Sequence, residues 1–259
     1  MRFCSLGSGS TGNATLIEAA SGSTITRVLV DCGFSLRELE MRLARVGVQA
    51  ETITAVFITH EHGDHVGCAP MLARRHSIPL WTSRGTWRAI GAPELDDRLL
   101  HFARDGQAID VNDLHLTPFT VAHDAVEPLQ LRVSDGARHL GVLTDVGSST
   151  PHLLASLQRC DALLLECNHD RDRLAASNYP ASLKARIGGR FGHLDNETAA
   201  QILASCLHDG LKWLVAAHLS ESNNSPELAR AALSAVSGAA PADIVVADPL
   251  LGFDWIEIG

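Results

Sequence analysis

The chain has 259 residues, 46% of them hydrophobic and 20% charged, with a formal net charge of −9 at pH 7. That length supports one sizeable core, so residues 1–259 are read as a single domain. The acidic balance argues against non-specific attraction to nucleic acid, and no stretch approaches the ~18 consecutive apolar residues of a membrane span. Met1–Gly7 lacks the apolar centre of a secretory signal. A cytoplasmic protein is expected, without a membrane partner. Its six cysteines, scattered without a CxxC pair, are expected to be reduced and mostly buried, Cys68 included although it lies near the histidine cluster described below.

Small residues crowd Gly7-Ser8-Gly9-Ser10-Thr11-Gly12-Asn13. Such a loop can hold an anionic oxygen through backbone N–H groups and hydroxyls or can simply turn a hairpin. Extended runs follow at Thr15–Ile17 and Arg27–Val30. Ser35-Leu36-Arg37-Glu38 has the form of a capping box, and Leu36, Leu39, Leu43 and Val46 make a helical stripe. The strand Ala55–Ile58 leads into His60-Glu61-His62-Gly63-Asp64-His65, and a helix is expected from there to about Arg75. A β-rich middle contains strands at Leu114–Val121, Leu129–Val133 and Leu140–Leu143. In the last third, Ala162–Leu165 is a buried strand, Asp195 opens a helix, Lys212–Ala216 is a strand, and Ser225-Pro226 caps a further helix. Ile244–Val246 and Phe253–Ile256 close the chain. Two mixed sheets packed face to face with helices outside accommodate this order.

Three imidazoles and two carboxylates within six residues at a strand end form a metal-binding cluster. His60 and His62 can point one way, and Asp64 and His65 another, after the turn at Gly63. Further ligands must come from elsewhere. His123, Asp145 and His218 are each the first metal-binding side chain after an apolar strand, a repeated placement that marks them as candidates. His76, His101, His115, His139, His152 and His208 lack that context and are read as structural or surface residues.

This pattern resembles the metallo-β-lactamase-fold hydrolases, whose αββα sandwich (class α+β, two mixed sheets with helices on the outer faces) is the implied fold. The corresponding residues are Asp31, His60-x-His62-x-Asp64-His65, His123, Asp145 and His218. The resemblance implies two divalent ions, Zn or Mn with Fe admissible. His60, His62 and His123 would hold one, and Asp64, His65 and His218 the other. Asp145 would bridge them, and Asp31 would orient a ligand histidine. Zinc β-lactamases of the best-known subclass carry Cys where Asp145 stands. Within the superfamily the flanking sequence resembles the YycJ/WalJ group. The matching stretches are Leu6–Asn13, His123-Asp124-Ala125-x-Glu127-Pro128, Glu166–Asp170, Gly192-His193-Leu194 and Ala217–Ser220. One departure is Asp195, where that group has Ser, and a carboxylate there would repel a phosphate.

The implied activity is phosphodiester hydrolysis, and within it 5′-to-3′ exonuclease action on single-stranded or duplex DNA ends. A hydroxide shared by the two ions is the nucleophile. Asp64, Asp145 and His193 are the candidate catalytic residues, with His193 contacting phosphate or protonating the leaving group. Ser8, Ser10, Asn13, Asn168 and His169 are candidate substrate contacts, and Glu166, beside Asn168 and His169, could instead pair with Arg171 or Arg173. Arg171, Arg173, Lys184, Arg186 and Arg190 form a basic run that could flank the cleft. A hydrolase of small phosphodiesters or thioesters is the alternative. A metal-stabilised regulatory protein without turnover is a third reading. Oligomeric state is not legible.

Overall fold

The computed structural model describes residues 1–259. Its strands are β1 (Arg2–Gly7), β2 (Ala14–Ser21), β3 (Thr24–Val30), β4 (Ala55–Ile58), β5 (Leu80–Thr82), β6 (Leu100–Phe102), β7 (Ile109–Val111), β8 (Leu114–Thr120), β9 (Leu129–Ser134), β10 (His139–Leu143), β11 (Ala162–Glu166), β12 (Trp213–Ala217), β13 (Val245–Val246) and β14 (Phe253–Glu257). The helices are α1 (Leu36–Arg45), α2 (Gly63–Val66), α3 (Ala69–His76), α4 (Arg84–Ala89), α5 (Pro151–Ser156), α6 (Arg171–Ala176), α7 (Ala181–Ile187), α8 (Asn196–Cys206) and α9 (Pro226–Ser237).

The strands form two seven-stranded sheets, ordered β14-β1-β2-β3-β4-β5-β6 and β13-β12-β11-β10-β9-β8-β7. Each is antiparallel in one part and parallel in the other. β3 to β6 run parallel in the first sheet, and β10 to β13 in the second. Alternation along the strands builds three cores. Ile17, Val28 and Phe57 of the first sheet meet Leu116, Leu131 and Leu164 of the second between the sheets. The opposite faces carry Leu16, Leu29 and Val56 against Leu39 and Leu43 of α1 and Leu72 of α3. They also carry Leu163, Leu165 and Leu214 against Ile202 and Leu203 of α8 and Leu233 of α9. This is the αββα sandwich that the resemblance implies. No helix is long and apolar enough to cross a membrane.

Local capping signals hold at some helices and only in part at others. Ser225 and Asp195 cap α9 and α8 as expected. The Ser35 box closes on one side only: Ser35 Oγ accepts from Glu38 N, whereas the Glu38 carboxylate turns to Arg42 at 2.8 Å. The helix expected from the histidine cluster to Arg75 is broken into α2 and α3 at Gly67, where φ is +38°. A Cβ on Gly67 would lie 2.2 Å from the Cys32 carbonyl oxygen, so the chain can bend there only because the residue is glycine. The middle region also holds α4 and the short strands β5, β6 and β7, which are too brief to show a period in sequence.

Candidate active site

The site lies where the C-terminal ends of parallel strands from both sheets face one another, the usual place for ligands in parallel sheets. Asp31 follows β3, His60 and His62 follow β4, Asp145 follows β10, Glu166 ends β11, and His218 follows β12. Asp31, Asp145 and His218 adopt φ of +61°, +56° and +54°. This left-handed backbone is unfavourable for residues with a Cβ by ~1–3 kcal/mol each, and such positions cluster at functional sites.

One set of donors is purely imidazole. His60, His62 and His123 each offer a nitrogen, and the three atoms lie within 4.8 Å of one another. His62 Nδ1 is 3.0 Å from His60 Nε2 and 3.3 Å from His123 Nε2. Hydrogen bonds assign the tautomers. His123 Nδ1 donates to the Gly192 carbonyl at 3.0 Å. Thr59 Oγ1 donates to Asp31 and so must accept from His60 Nδ1 at 3.0 Å. Both rings therefore turn an Nε2 lone pair inward. Burial, helped by the charge of His65, holds His60 well below the usual histidine range, so it stays neutral and able to ligate.

The second set mixes imidazole and carboxylate. His65 Nε2 lies 3.0 Å from Asp145 Oδ2 and 3.5 Å from Asp64 Oδ2, and His218 Nδ1 lies 3.2 Å from Asp145 Oδ2. Asp31 accepts from His65 Nδ1 at 2.7 Å and from Thr59 N and Oγ1 at 2.9 Å each, which turns His65 Nε2 toward the carboxylates. Burial opposes a proton on His65, but Asp145 and Asp31 outweigh it and raise the group well above its usual range. Asp145 Oδ2 is buried and accepts no hydrogen bond despite these close nitrogens. Converging lone pairs and an orphaned carboxylate oxygen lack compensation within the protein. A cation among them would supply it, so these residues fit divalent metal.

Several sequence candidates bond directly to this cluster. Ser8 Oγ accepts from His218 N at 2.9 Å. Asn13 Oδ1 accepts from Gly9 N at 2.9 Å and is 3.1 Å from His218 Nδ1, and its Nδ2 lies 3.2 Å from both Asp64 Oδ2 and His65 Nε2. Asn168 Nδ2 donates to the His218 carbonyl at 3.1 Å. Glu61 accepts from Val126 N at 2.7 Å and ties down the loop that follows His123.

Beside the cluster a cavity of about 200 Å³ is lined by His193, Asn168, Asp124, Ser10 and Ser220 together with Tyr179, Leu183, Arg186 and Ile187. His193 Nδ1 donates to Glu166 Oε1 at 2.8 Å, while Glu166 Oε2 accepts from Val146 N at 3.0 Å and Leu194 N at 3.2 Å. Burial alone would lower the His193 pKa, but the Glu166 carboxylate, with Asp145 and Asp124, raises it to about 9. Of the partners open to Glu166 in sequence, neither Arg171 nor Arg173 is the one it takes. Arg171 binds Asp195 and Glu197, and Arg173 donates to the Asn224 carbonyl. Glu166 ends an apolar strand as the other site residues do, a signal that was present in the sequence.

Asp195 does not present a bare charge. It accepts from Thr198 N and Oγ1 as the cap of α8 and pairs with Arg171 at 3.0 Å. His169 is buried and faces a separate groove with Arg171, Lys184 and Asp195. Of the basic run, only Arg186 enters the cavity, with its Nε 2.7 Å from Asp124 Oδ2. Asp124 in turn lies 3.4 Å from His123 Nε2. Cys68 is buried, with its sulfur 3.3 Å from that of Cys32, and joins neither donor set.

Residues 26–215 match the family described as the beta-lactamase superfamily domain. The chain is 32% identical over 240 residues to exodeoxyribonuclease YycJ of Bacillus anthracis, covering 91% of this chain and 89% of the relative. It is 32% identical over 249 residues to exodeoxyribonuclease WalJ of Streptococcus pneumoniae serotype 2 (strain D39 / NCTC 7466), covering 95% and 90%. The metallo-beta-lactamase fold protein YhfI from Bacillus subtilis superposes with a TM-score of 0.72 over 98% of both chains at 18% identity. The strand-end histidines and aspartates, the αββα sandwich and these matches agree: the chain belongs to the beta-lactamase superfamily, within the group of the YycJ and WalJ proteins.

Proposed function

We propose that this chain is a metal-dependent phosphodiesterase, and specifically an exonuclease acting on DNA ends. The observation that carries this reading is a buried His/Asp donor cluster beside a carboxylate-held imidazole, His193. The relatives' names as exodeoxyribonucleases support the choice of DNA. All 259 residues are read as one catalytic domain, because the donors come from both sheets and span Asp31 to His218.

His60, His62 and His123 would hold one cation, and Asp64, His65 and His218 a second, with Asp145 shared. Imidazole and carboxylate together suit Zn²⁺ or Mn²⁺, and Fe²⁺ is admissible. Divalent cations there would supply Lewis-acid polarisation of the phosphoryl group and lower the pKa of bound water toward neutrality. Asp64 and Asp145 offset positive charge and can accept a hydrogen bond from the attacking water. Asp31 holds His65, and Asn13 links Asp64, His65 and His218, so that the donors are positioned before substrate arrives. His193 keeps Nδ1 on Glu166, which leaves Nε2–H to protonate the departing oxygen. A cytoplasmic location suits the reduced, buried cysteines.

The test is incubation of 5′-labelled and 3′-labelled single-stranded DNA with Mn²⁺- or Zn²⁺-loaded protein, with Asp64→Ala as control. Mononucleotides released from one end, and lost in the variant, are expected. Cleavage of a small cyclic phosphodiester without cleavage of DNA would replace this reading with that of a small-ester hydrolase, which the net charge of −9 favours.

A further inference from the structure

Two sulfurs of this chain touch. Cys32 Sγ and Cys68 Sγ lie 3.3 Å apart, and no other pair of the six cysteines makes such a contact. The backbone enforces it. Cys68 N donates to the Cys32 carbonyl at 3.2 Å and to the Phe34 carbonyl at 3.1 Å, and Cys32 N donates to the His65 carbonyl at 2.7 Å. Gly67 lies so close to the Cys32 carbonyl that only a residue without a Cβ fits. The turn after β3 and the bend between α2 and α3 are therefore one packed unit, and the two thiols meet across it from positions 36 apart in the chain. Neither sulfur joins a donor set, and no step of the proposed hydrolysis uses one.

The two thiols differ in access. Cys32 is fully buried, whereas Cys68 keeps 6% of its surface exposed. Cys68 is also the N-cap residue of α3, and its side chain makes no capping bond. Its sulfur sits at the positive end of a helix, where negative charge on sulfur is favoured. An accessible sulfur beside a buried one is the arrangement in which the first reacts with an oxidant and the second resolves the product.

We propose that Cys32 and Cys68 form a reversible redox clamp, oxidised by hydrogen peroxide to an intramolecular disulfide. The Cys68 sulfur gives an electron pair to one peroxide oxygen, and the O–O bond breaks. The thiol proton leaves with the other oxygen as water, and Cys68 becomes a sulfenic acid. The Cys32 sulfur then attacks the Cys68 sulfur, the S–O bond breaks, and the oxygen departs as a second water with the Cys32 proton. Two thiols have lost two electrons to one peroxide. A disulfide bond is about 2.05 Å long, so the sulfurs must close by about 1.3 Å. Side chains carry that movement, because the backbones are already hydrogen-bonded to each other. The bond ties the turn that follows Asp31 to the bend that follows His65, two segments already joined by the Asp31–His65 hydrogen bond. It closes a loop that holds the whole run from His60 to His65. The clamp is independent of the phosphodiesterase reading.

The experiment treats the reduced, purified full chain with hydrogen peroxide, then counts thiols by alkylation in denaturant and maps cross-linked peptides by mass spectrometry. Two of the six thiols should be lost together, in a single Cys32–Cys68 cross-link that dithiothreitol reverses. The urea midpoint of the oxidised chain should rise by roughly 1–2 M over the reduced chain, as expected for a loop of this length. Cys32→Ala removes the resolving thiol, so its Cys68 should proceed to sulfinic acid. Cys68→Ala should leave Cys32 reduced under the same treatment, because burial shields it. The mapping in the unmutated chain decides the proposal even where a variant fails to fold. Six thiols retained, or other cysteines consumed before this pair, overturns it. A Cys32–Cys68 cross-link that lowers the urea midpoint overturns the clamp as well, since the bond would then be pulling the two segments out of place.

Discussion

The two walls of the cleft are built on different principles. On one side, His60, His65, His123, Asp145 and His218 are buried at the ends of strands from both sheets. A ring nitrogen of each of these histidines is anchored by Thr59, Asp31, the Gly192 carbonyl or Asn13. On the other side, α7 has no buried residue, and Arg186 is mostly exposed. The contrast teaches that the reactive chemistry is wired into the cores, where geometry is over-determined and change is costly. The opposite side is a peripheral helix that can vary without disturbing either sheet.

Breaking the buried wall should have the largest effect. Asp145→Ala, or removal of metal with a chelator, is expected to lower kcat/KM on DNA by at least ~10³-fold, about 4 kcal/mol of barrier. A smaller loss would separate the cluster from the chemistry. His193→Ala should cost ~10²–10⁴-fold on DNA, and clearly less on a p-nitrophenyl ester, whose leaving group needs no proton. Equal losses on both substrates would remove His193 from proton transfer. Asn13→Ala leaves every candidate ligand in place yet should weaken metal binding ~10–100-fold in a metal titration.

Smaller effects sharpen the contrast. In the metal-free protein, the raised His193 pKa means that its imidazolium is present at neutral pH and lost as pH rises through about 9. Glu166→Gln removes the main charge that opposes burial, so a histidine NMR titration should show that midpoint moving down. An unmoved midpoint would assign the shift elsewhere. Asp195→Ser keeps a cap for α8 and loses only a partly exposed ion pair, so urea unfolding should change by less than ~1 kcal/mol. Activity should be unaffected, because Arg171 already holds the Asp195 charge.

Much of the buried wall was legible in sequence because apolar strands end abruptly in a polar ligand. That single pattern found His123, Asp145 and His218, residues far apart in the chain. It also applied to Glu166, whose partner stayed open because Arg171 and Arg173 stand near it in sequence, whereas His193 reaches it from 27 positions away. Thr59 was missed because a hydroxyl that relays between Asp31 and His60 has no motif of its own. Asn13 and Ser8 looked like substrate contacts, since a glycine-rich loop does not reveal that its side chains turn inward to His218 and Asp64.

The central claim is that these strand-end residues form a divalent-metal centre, and anomalous diffraction from crystals loaded with Mn²⁺ or Zn²⁺ tests it most directly. The account predicts density peaks within the His60–His62–His123 set and between Asp64, His65, Asp145 and His218. The absence of any anomalous peak there, at saturating metal, would contradict it.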